Sequence, residues 1–319
     1  MTTTNNDPRL ALVFPGQGSQ SVGMLADMAA SWPNIIETFA EASAVLGIDL
    51  WALVQQGPEA ELNQTQNTQP AMLAAGVALW RVWQAEDGPR PALMAGHSLG
   101  EYTALVCAGS LGFTDAVALV AERGRLMQEA VPVGRGAMAA VLGLEDDKVV
   151  AVCAAAAQGE IVAAVNFNAP GQVVIAGTTR AVERAVTLAR EKGAKRAVIL
   201  PVSVPSHCQL MRPAAEQLAK RLAAVTLRTP VVPVIHNVDV AVHQRPEDIR
   251  DALIRQLYNP VRWSATIAAM RRQGITTLVE CGPGKVLTGL TKRIDKQLEA
   301  RPVFDSASLS TALMAARGK

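Results

Sequence analysis

Residues 96–100 read Gly-His-Ser-Leu-Gly, a Gly-x-Ser-x-Gly pentapeptide that lies between an apolar run and a helical pattern. The run Pro91–Ala95 predicts a short buried strand, and Tyr102–Cys107 predicts an apolar helix. A strand-to-helix turn this tight strains the serine, and the flanking glycines remove side chains that would clash. We therefore predict that Ser98 is a nucleophile whose hydroxyl stands clear of the sheet. The backbone N–H of Leu99, at the start of the helix, would face an oxyanion formed there.

Length, composition and charge exclude several classes of protein. The chain has 319 residues, of which 50% are hydrophobic and 18% charged, so it can bury a large core and is not globally disordered. A formal net charge of +2 is too small to indicate binding to nucleic acid or to an anionic membrane. The four cysteines form no C-x-x-C pair and predict reduced, mostly buried thiols rather than a zinc site. No apolar run is long enough to span a bilayer and the polar N-terminus has no secretory signal, which predicts a cytoplasmic protein.

The order of the predicted elements divides the chain into two parts. Continuous apolar strands alternate with helices up to about residue 130, which predicts a parallel sheet covered on both faces. Between 131 and 203 the predicted order is β-α-β-β-α-β, typical of a ferredoxin-like lobe. We therefore predict an α/β fold, in which an α/β-hydrolase-like parallel-sheet domain of residues 1–130 and 204–319 holds this inserted lobe, with the substrate cleft between them. Strands are predicted at 10–14, 91–95, 137–142, 161–166, 172–176, 196–201, 231–235 and 277–280, and the longer helices at 23–30, 34–46, 69–86, 102–107, 115–130, 146–157 and 180–192.

Two other glycine-rich segments fail the spacing tests for nucleotide-binding loops. The glycines of the first loop, Gly16, Gly18 and Gly23, do not follow the G-x-G-x-x-G spacing of a dinucleotide site. The segment Gly282–Lys285 lacks the upstream glycine and the following Ser or Thr of a P-loop. The first loop has another use, because in serine acyl-transfer folds a loop after a neighbouring strand donates a second N–H to the oxyanion hole. Gln17 is our candidate for that donor.

The chain has four histidines, at positions 97, 207, 236 and 243, that could serve as general base. His207 lies just after the small lobe and before a helix, where a side chain would enter the cleft, so we predict that it is the base. The turn should point His97 away from the nucleophile, and His236 lies near a strand end, as a structural histidine would. We expect His243 to be solvated in a polar loop. The alternative is a serine hydrolase in which Asp239 orients His243, the ordinary order of serine, acid and histidine.

One arginine lies on an apolar face of a predicted helix. In the helix 115–130, Arg123 lies in the i, i+4 row between Leu119 and Met127, whereas Arg125 lies among charged residues. A guanidinium on a buried face needs an anionic partner, and its planar fork matches a carboxylate. We therefore predict a substrate whose acyl group ends in a carboxylate, a feature that a plain esterase would not need.

Six segments together resemble one enzyme family. In this order and over nearly the whole chain, they resemble the bacterial malonyl-CoA:acyl-carrier-protein transacylases of type II fatty acid synthesis. The segments are Phe14–Gln20, Gly96–Tyr102, Asn166–Gln172, Pro205–Cys208, Gln256–Pro260 and Gly282–Lys285.

The resemblance implies a role for each of the main candidates. Ser98 would carry the malonyl group as an ester, with His207 acting first as base and then as acid. The N–H groups of Leu99 and Gln17 would form the oxyanion hole, and Arg123 would hold the malonyl carboxylate.

The resemblance also assigns residues that the motifs alone leave open. The backbone carbonyl of Gln256 would orient the histidine in place of a carboxylate, and Asn168 would lie near the pocket. Ser206 stands where malonyl-selective domains of modular synthases often have phenylalanine, so tolerance of methylmalonyl groups stays open. The family implies a monomer with no metal and no cofactor besides its substrates, malonyl-CoA and phosphopantetheinylated acyl carrier protein.

The carrier protein, acidic in this family, needs a basic docking surface. The net positive charge of the small lobe fits such a surface, and it equally fits an ordinary solvated helix face. The residues concerned are Arg180, Arg184, Arg190, Lys192, Lys195 and Arg196 against Glu183 and Glu191. Two alternatives to a transferase stay open, namely the serine hydrolase above and a non-catalytic scaffold for the carrier protein.

Overall fold

The computed structural model describes residues 6–202 and 204–318. Residues 1–5, 203 and 319 lie outside the described residues, so the outermost positions of the predicted domain ranges are among those not described. The strands found there are β1 (Asn6–Phe14), β2 (Arg90–Gly96), β3 (Gly136–Leu142), β4 (Val162–Ala169), β5 (Gln172–Thr178), β6 (Arg196–Ile199), β7 (Val234–Ile235), β8 (Thr277–Cys281) and β9 (Glu299–Val303). The α-helices are α1 (Ala26–Ser31), α2 (Asn34–Leu46), α3 (Leu50–Gln56), α4 (Glu59–Leu62), α5 (Thr65–Ala85), α6 (Gly100–Cys107), α7 (Phe113–Ala130), α8 (Asp146–Ala157), α9 (Thr179–Glu191), α10 (Arg212–Ala224), α11 (Pro246–Gln256), α12 (Trp263–Arg272), α13 (Val286–Ile294) and α14 (Ser306–Ala316).

Five parallel strands form the larger sheet, in the order β7-β2-β1-β8-β9. The central strand β1 carries the apolar run 10–14, which is almost completely buried because helices cover both faces of the sheet. Side chains on one face, such as Leu12, join the core with α5 and α6, and those on the other, such as Val13, pack with α12. The predicted α/β class with a parallel sheet is confirmed.

The second sheet is antiparallel and separate from the first. Its strand order is β4-β5-β3-β6, and the element order β3-α8-β4-β5-α9-β6 is the one predicted for this stretch. Its core packs Val141, Val173 and Ile175 against the two helices. The edge strand β4 meets the rest of the molecule where the N–H of Phe167 donates to the carbonyl of Val261 at 3.0 Å. The antiparallel sheet therefore meets the larger domain along β4, at the segment that leads into α12.

Two elements begin four residues earlier than predicted. Strand β1 begins at Asn6 rather than at residue 10, since its polar first residues pair with Arg90 and Pro91 of β2. Helix α5 begins at Thr65 rather than at 69, with Pro70 inside it. Proline is common in the first turn of a helix, so Pro70 indicated a start that the structure places one turn earlier.

The end of the larger sheet also differs from the prediction. Strand β7 is two residues long, and Pro233 directly before it has no N–H to extend the pairing. Strand β9 was not predicted; its residues 299–303 include two polar side chains and Pro302. Proline is tolerated in a strand at the edge of a sheet, which is where β9 lies. None of the helices in the described ranges has the length and apolar content needed to cross a membrane.

Candidate active site

The turn between β2 and α6 places Ser98 in a strained backbone conformation. Its φ of 52° lies in the left-handed region, which non-glycine residues seldom adopt. A Cβ added to Gly96 would lie 1.8 Å from the carbonyl carbon of Gly100, and one added to Gly100 would lie 2.0 Å from the carbonyl oxygen of Phe14. Both glycines are therefore required for the close approach that raises the serine.

His207 lies beside the serine hydroxyl. Its Nε2 is 2.7 Å from Ser98 Oγ, and its Nδ1 is 2.8 Å from the backbone carbonyl of Gln256. Because a carbonyl can only accept, Nδ1 carries the ring proton and Nε2 is left to accept the serine proton. The φ of His207 is 64°, a second left-handed residue, and its N–H donates to the carbonyl of Leu257. This geometry is that of a nucleophile and its general base.

The protonation state of this histidine suits a base. Burial, together with the nearby charge of Arg123, lowers the pKa of His207 to about 3. The imidazole is therefore neutral at physiological pH, with its Nε2 lone pair facing Ser98.

Arg123 is buried, with 1% of its surface exposed, and it lies next to Ser98. Its Nη1 donates to Gln69 Oε1 at 2.7 Å, and its Nη2 donates to Gln256 Oε1 at 3.0 Å and to Ser98 Oγ at 3.2 Å. The guanidinium also lies 5.4 Å from the ring centre of Tyr102. Within residues 6–202 and 204–318 it forms no salt bridge, and its Nε has no hydrogen-bond partner. The site therefore holds a cation that no carboxylate of the described chain contacts, and burial lowers its pKa.

Glu101 is a buried carboxylate that lies on the far side of the site and was not predicted from the sequence. Glu101 accepts hydrogen bonds from His236 Nδ1 at 2.7 Å, from the N–H of Asn237 at 2.9 Å and from Gln256 Nε2 at 2.9 Å. Asn237 Oδ1 in turn accepts the N–H of Ser98 at 2.7 Å, and Gln256 Nε2 also donates to the Ser98 carbonyl at 3.0 Å. The only sequence signal was a carboxylate inside the apolar helix α6.

His97 and Asn168 form a separate pair beside the turn. His97 Nε2 lies 2.8 Å from Asn168 Oδ1, and the imidazole ring packs 5.5 Å from the indole of Trp263. Burial lowers the pKa of His97. Asn168 therefore reaches the site through His97, and among the described residues it forms no hydrogen bond with Ser98.

The two backbone amides expected to form an oxyanion hole lie on loops that touch. The N–H of His97 donates to the carbonyl of Phe14 at 2.9 Å, and a Cβ on Gly16 would lie 2.6 Å from the His97 carbonyl oxygen. In the part of the chain that the structure describes, the amides of Gln17 and Leu99 have no protein acceptor. Both can therefore donate to a bound group.

The residues of the alternative triad form a pair elsewhere. His243 Nε2 lies 3.1 Å from Asp239 Oδ2, and Arg255 contacts the same oxygen. Ser98 pairs instead with His207. His243 is less solvated than predicted. Its side chain is 22% exposed, and its ring centre lies 5.0 Å from that of His236.

Comparison with known proteins identifies the family. Residues 11–310 match the model of the acyl transferase domain family. The chain is 61% identical over 305 residues to the malonyl CoA-acyl carrier protein transacylase of Escherichia coli (strain K12), covering 96% of this chain and 99% of that relative. A crystal structure of an acyl carrier protein S-malonyltransferase from Vibrio cholerae has a TM-score of 0.94 and 62% identity, covering 95% of this chain and 99% of that one.

A second solved structure contains a malonyl-transacylase in complex with a type II PKS acyl-carrier protein. It has a TM-score of 0.95 and 60% identity, and the match covers 96% of this chain and 99% of that chain. With a serine–histidine pair, a buried arginine and relatives of this identity, the chain belongs to the acyl transferase domain family and, within it, to the malonyl CoA-acyl carrier protein transacylases.

Proposed function

We propose that this chain transfers the malonyl group of malonyl-CoA to the phosphopantetheine thiol of acyl carrier protein, through an ester on Ser98. The observation that carries the substrate assignment is Arg123, a buried cation without a carboxylate partner whose Nη2 is 3.2 Å from the nucleophile. A malonyl carboxylate supplies the missing anion one methylene away from the reacting carbonyl. An acetyl group would leave the guanidinium uncompensated, which makes it the poorer substrate.

In the first half-reaction, Ser98 Oγ attacks the thioester carbonyl and His207 Nε2 takes the hydroxyl proton. The carbonyl oxygen becomes an oxyanion that the N–H groups of Leu99 and Gln17 stabilise. When the tetrahedral intermediate collapses, the C–S bond breaks and the CoA sulfur leaves with the proton from the imidazolium. The carbonyl of Gln256 keeps that imidazolium in place through Nδ1.

In the second half-reaction, the carrier thiol gives its proton to His207 and attacks the ester carbonyl. Collapse breaks the bond to Ser98 Oγ, which recovers a proton from the histidine. Water must be kept from the ester between the two halves, since hydrolysis would release malonate. In this scheme Asn168 holds His97 in position beside the turn.

We propose an acidic carrier-protein partner, supported by the relative whose structure contains an acyl-carrier protein. The candidate docking residues are not equally available. Arg184 pairs with Glu160, and Arg190 donates to the carbonyl of Ala197. Of the six candidates, Arg180, Lys192, Lys195 and Arg196 are left for docking.

We also propose a fold type, a division into domains, an oligomeric state and a cellular compartment for this enzyme. The turn at Ser98 is of the α/β-hydrolase type, and residues 131–203 form a ferredoxin-like subdomain inserted between 1–130 and 204–319. The enzyme acts as a monomer in the cytoplasm and uses no cofactor besides its substrates. Four free, buried cysteine thiols are in keeping with a reducing compartment.

Incubation with malonyl-CoA alone, followed by intact-mass measurement, tests the proposal. We expect a malonyl adduct that is absent from Ser98→Ala. Replacing His243 with alanine is the matched control, because the hydrolase alternative needs that residue and the transferase does not. Steady CoA release without an adduct, lost on replacing His243, would show a hydrolase. A result with neither an adduct nor CoA release would indicate the non-catalytic scaffold, for which Ser98→Ala should bind the carrier protein as the parent does.

A further inference from the structure

A chain of side-chain hydrogen bonds joins the buried arginine to the first loop. Arg123 Nη1 donates to Gln69 Oε1 at 2.7 Å, and Gln69 Nε2 donates to Thr65 Oγ1 at 3.1 Å. The Thr65 hydroxyl then donates to Gln17 Oε1 at 2.6 Å. We call these four residues the relay.

Arg123 fixes the direction of the first two bonds in the relay. A guanidinium has donors only, so Gln69 must turn its Oε1 toward Arg123 and its Nε2 toward Thr65. The single proton of the Thr65 hydroxyl is then available for Gln17. Gln69 and Thr65 are both buried and lie one turn apart in α5, so the helix sets the spacing of the relay.

The relay ends at the two groups that would hold opposite ends of the acyl group. Arg123 would hold the carboxylate, and the backbone amide of Gln17 would hold the carbonyl oxygen. Malonyl has one methylene between its carboxylate and its thioester carbonyl, whereas succinyl has two. A fixed separation between the two ends of the relay therefore favours one acyl length over the other.

We propose that Thr65 and Gln69 are positioning residues that set the acyl length this enzyme accepts. They do so by fixing the guanidinium of Arg123 relative to the loop of Gln17, and neither needs to touch the reacting atoms. This inference rests on the proposed malonyl transfer and deepens it, since it assigns the discrimination between dicarboxylic acyl groups to a particular helix turn.

Thr65→Val tests the relay, because it keeps the shape of the side chain and removes the hydroxyl. We expect the ratio of rate constants for ester formation, malonyl-CoA over succinyl-CoA, to fall about tenfold or more, since displacement of a positioned group by about 1 Å costs up to 100-fold. Thr65→Ser should restore the ratio. Thr68→Val is the matched control: Thr68 is buried in the same helix, and its hydroxyl bonds the Leu62 carbonyl outside the relay. It should lower stability and leave the ratio unchanged.

Gln17→Met provides a second variant that does not depend on a buried position, because the Gln17 side chain is exposed. It removes the last acceptor of the relay and should lower the ratio as Thr65→Val does. An unchanged ratio in both variants, or an equal fall in Thr68→Val, would overturn the proposal. Ester formation on the parent enzyme distinguishes this outcome from failure of the proposed function. If the parent enzyme forms no malonyl ester, the proposed function itself is wrong.

Discussion

At the scale of single residues, the two reacting side chains share an unusual backbone conformation. Ser98 and His207 both have positive φ, at 52° and 64°, and such strain costs on the order of 1–3 kcal/mol per residue. Hydrogen bonds from their N–H groups, to Asn237 Oδ1 and to the Leu257 carbonyl, hold them there. The site is therefore arranged before substrate binds, which reduces the reorganisation needed during acylation.

The lowered pKa of the base predicts a flat acid limb in the pH profile. Neutral His207 is the active form, and its pKa of about 3 keeps it neutral well below pH 6. We expect the rate of ester formation with malonyl-CoA to stay level from about pH 7 to about pH 5. A histidine of ordinary pKa, about 6.5, would lose about tenfold per pH unit below that value. Quenched-flow mass measurement of the ester distinguishes the two, and a tenfold loss by pH 5 would contradict the assignment.

Substitution of the buried arginine should slow ester formation with malonyl-CoA and not with acetyl-CoA. In Arg123→Lys the charge stays but the planar fork is lost, so the rate constant for malonyl loading should fall by about 10- to 100-fold. Acetyl loading should not fall, because acetyl has no carboxylate to hold. Arg125→Lys, on the exposed face of the same helix, is the control. Rates of ester formation with both thioesters measure the effect, and an equal fall for both would argue against a carboxylate anchor.

At the scale of elements, the contact between α6 and β1 holds the nucleophile turn. Gly100 is the first residue of α6, and an alanine there would bring its Cβ to within 2.0 Å of the Phe14 carbonyl oxygen. The carbonyl oxygen is a backbone atom and the Cβ is bonded directly to the backbone, so neither can move away unless the backbone shifts.

Gly100→Ala should therefore destabilise the fold by about 3 kcal/mol or more and abolish ester formation. Gly289→Ala is the matched control, because nothing lies within 4 Å of a Cβ at that position in α13. It should stabilise the protein by about 0.5–1 kcal/mol, as expected for Gly to Ala in a helix. Denaturant unfolding measures both changes. A Gly100→Ala protein as stable as the parent would refute the close-packing account of the turn.

Local patterns predicted elements well and long-range contacts poorly. The strand, turn and helix around Ser98 follow from residues 91–107, and the burial of Arg123 follows from its helical row. Glu101, Asn237 and Gln69 were missed because their hydrogen-bond partners are distant in sequence. Gln69 lies 54 positions from Arg123, and Asn237 lies 136 positions from Glu101. The edge strand β9 was missed because its alternation includes Pro302, which only its place at the edge of the sheet makes acceptable.

At the scale of the whole molecule, parts far apart in the sequence meet at one serine. Ser98 follows β2, Arg123 comes from α7, His207 from the segment after the antiparallel sheet, and Gln256 from the end of α11. No short motif contains this set, so resemblance over the whole length was needed to assign the histidine-orienting carbonyl. A transferase must also pass its acyl group to the acceptor thiol rather than to water, and this requirement gives the most direct test.

That test is a chase of the isolated acyl-enzyme. The protein is loaded with labelled malonyl-CoA, freed of CoA, and mixed with phosphopantetheinylated acyl carrier protein while the label is followed by intact mass. We predict that the label leaves Ser98 and appears on the carrier thiol much faster than it is lost to water. Release of the label as free malonate, at a rate that the carrier does not change, would contradict the assignment as a malonyl transferase.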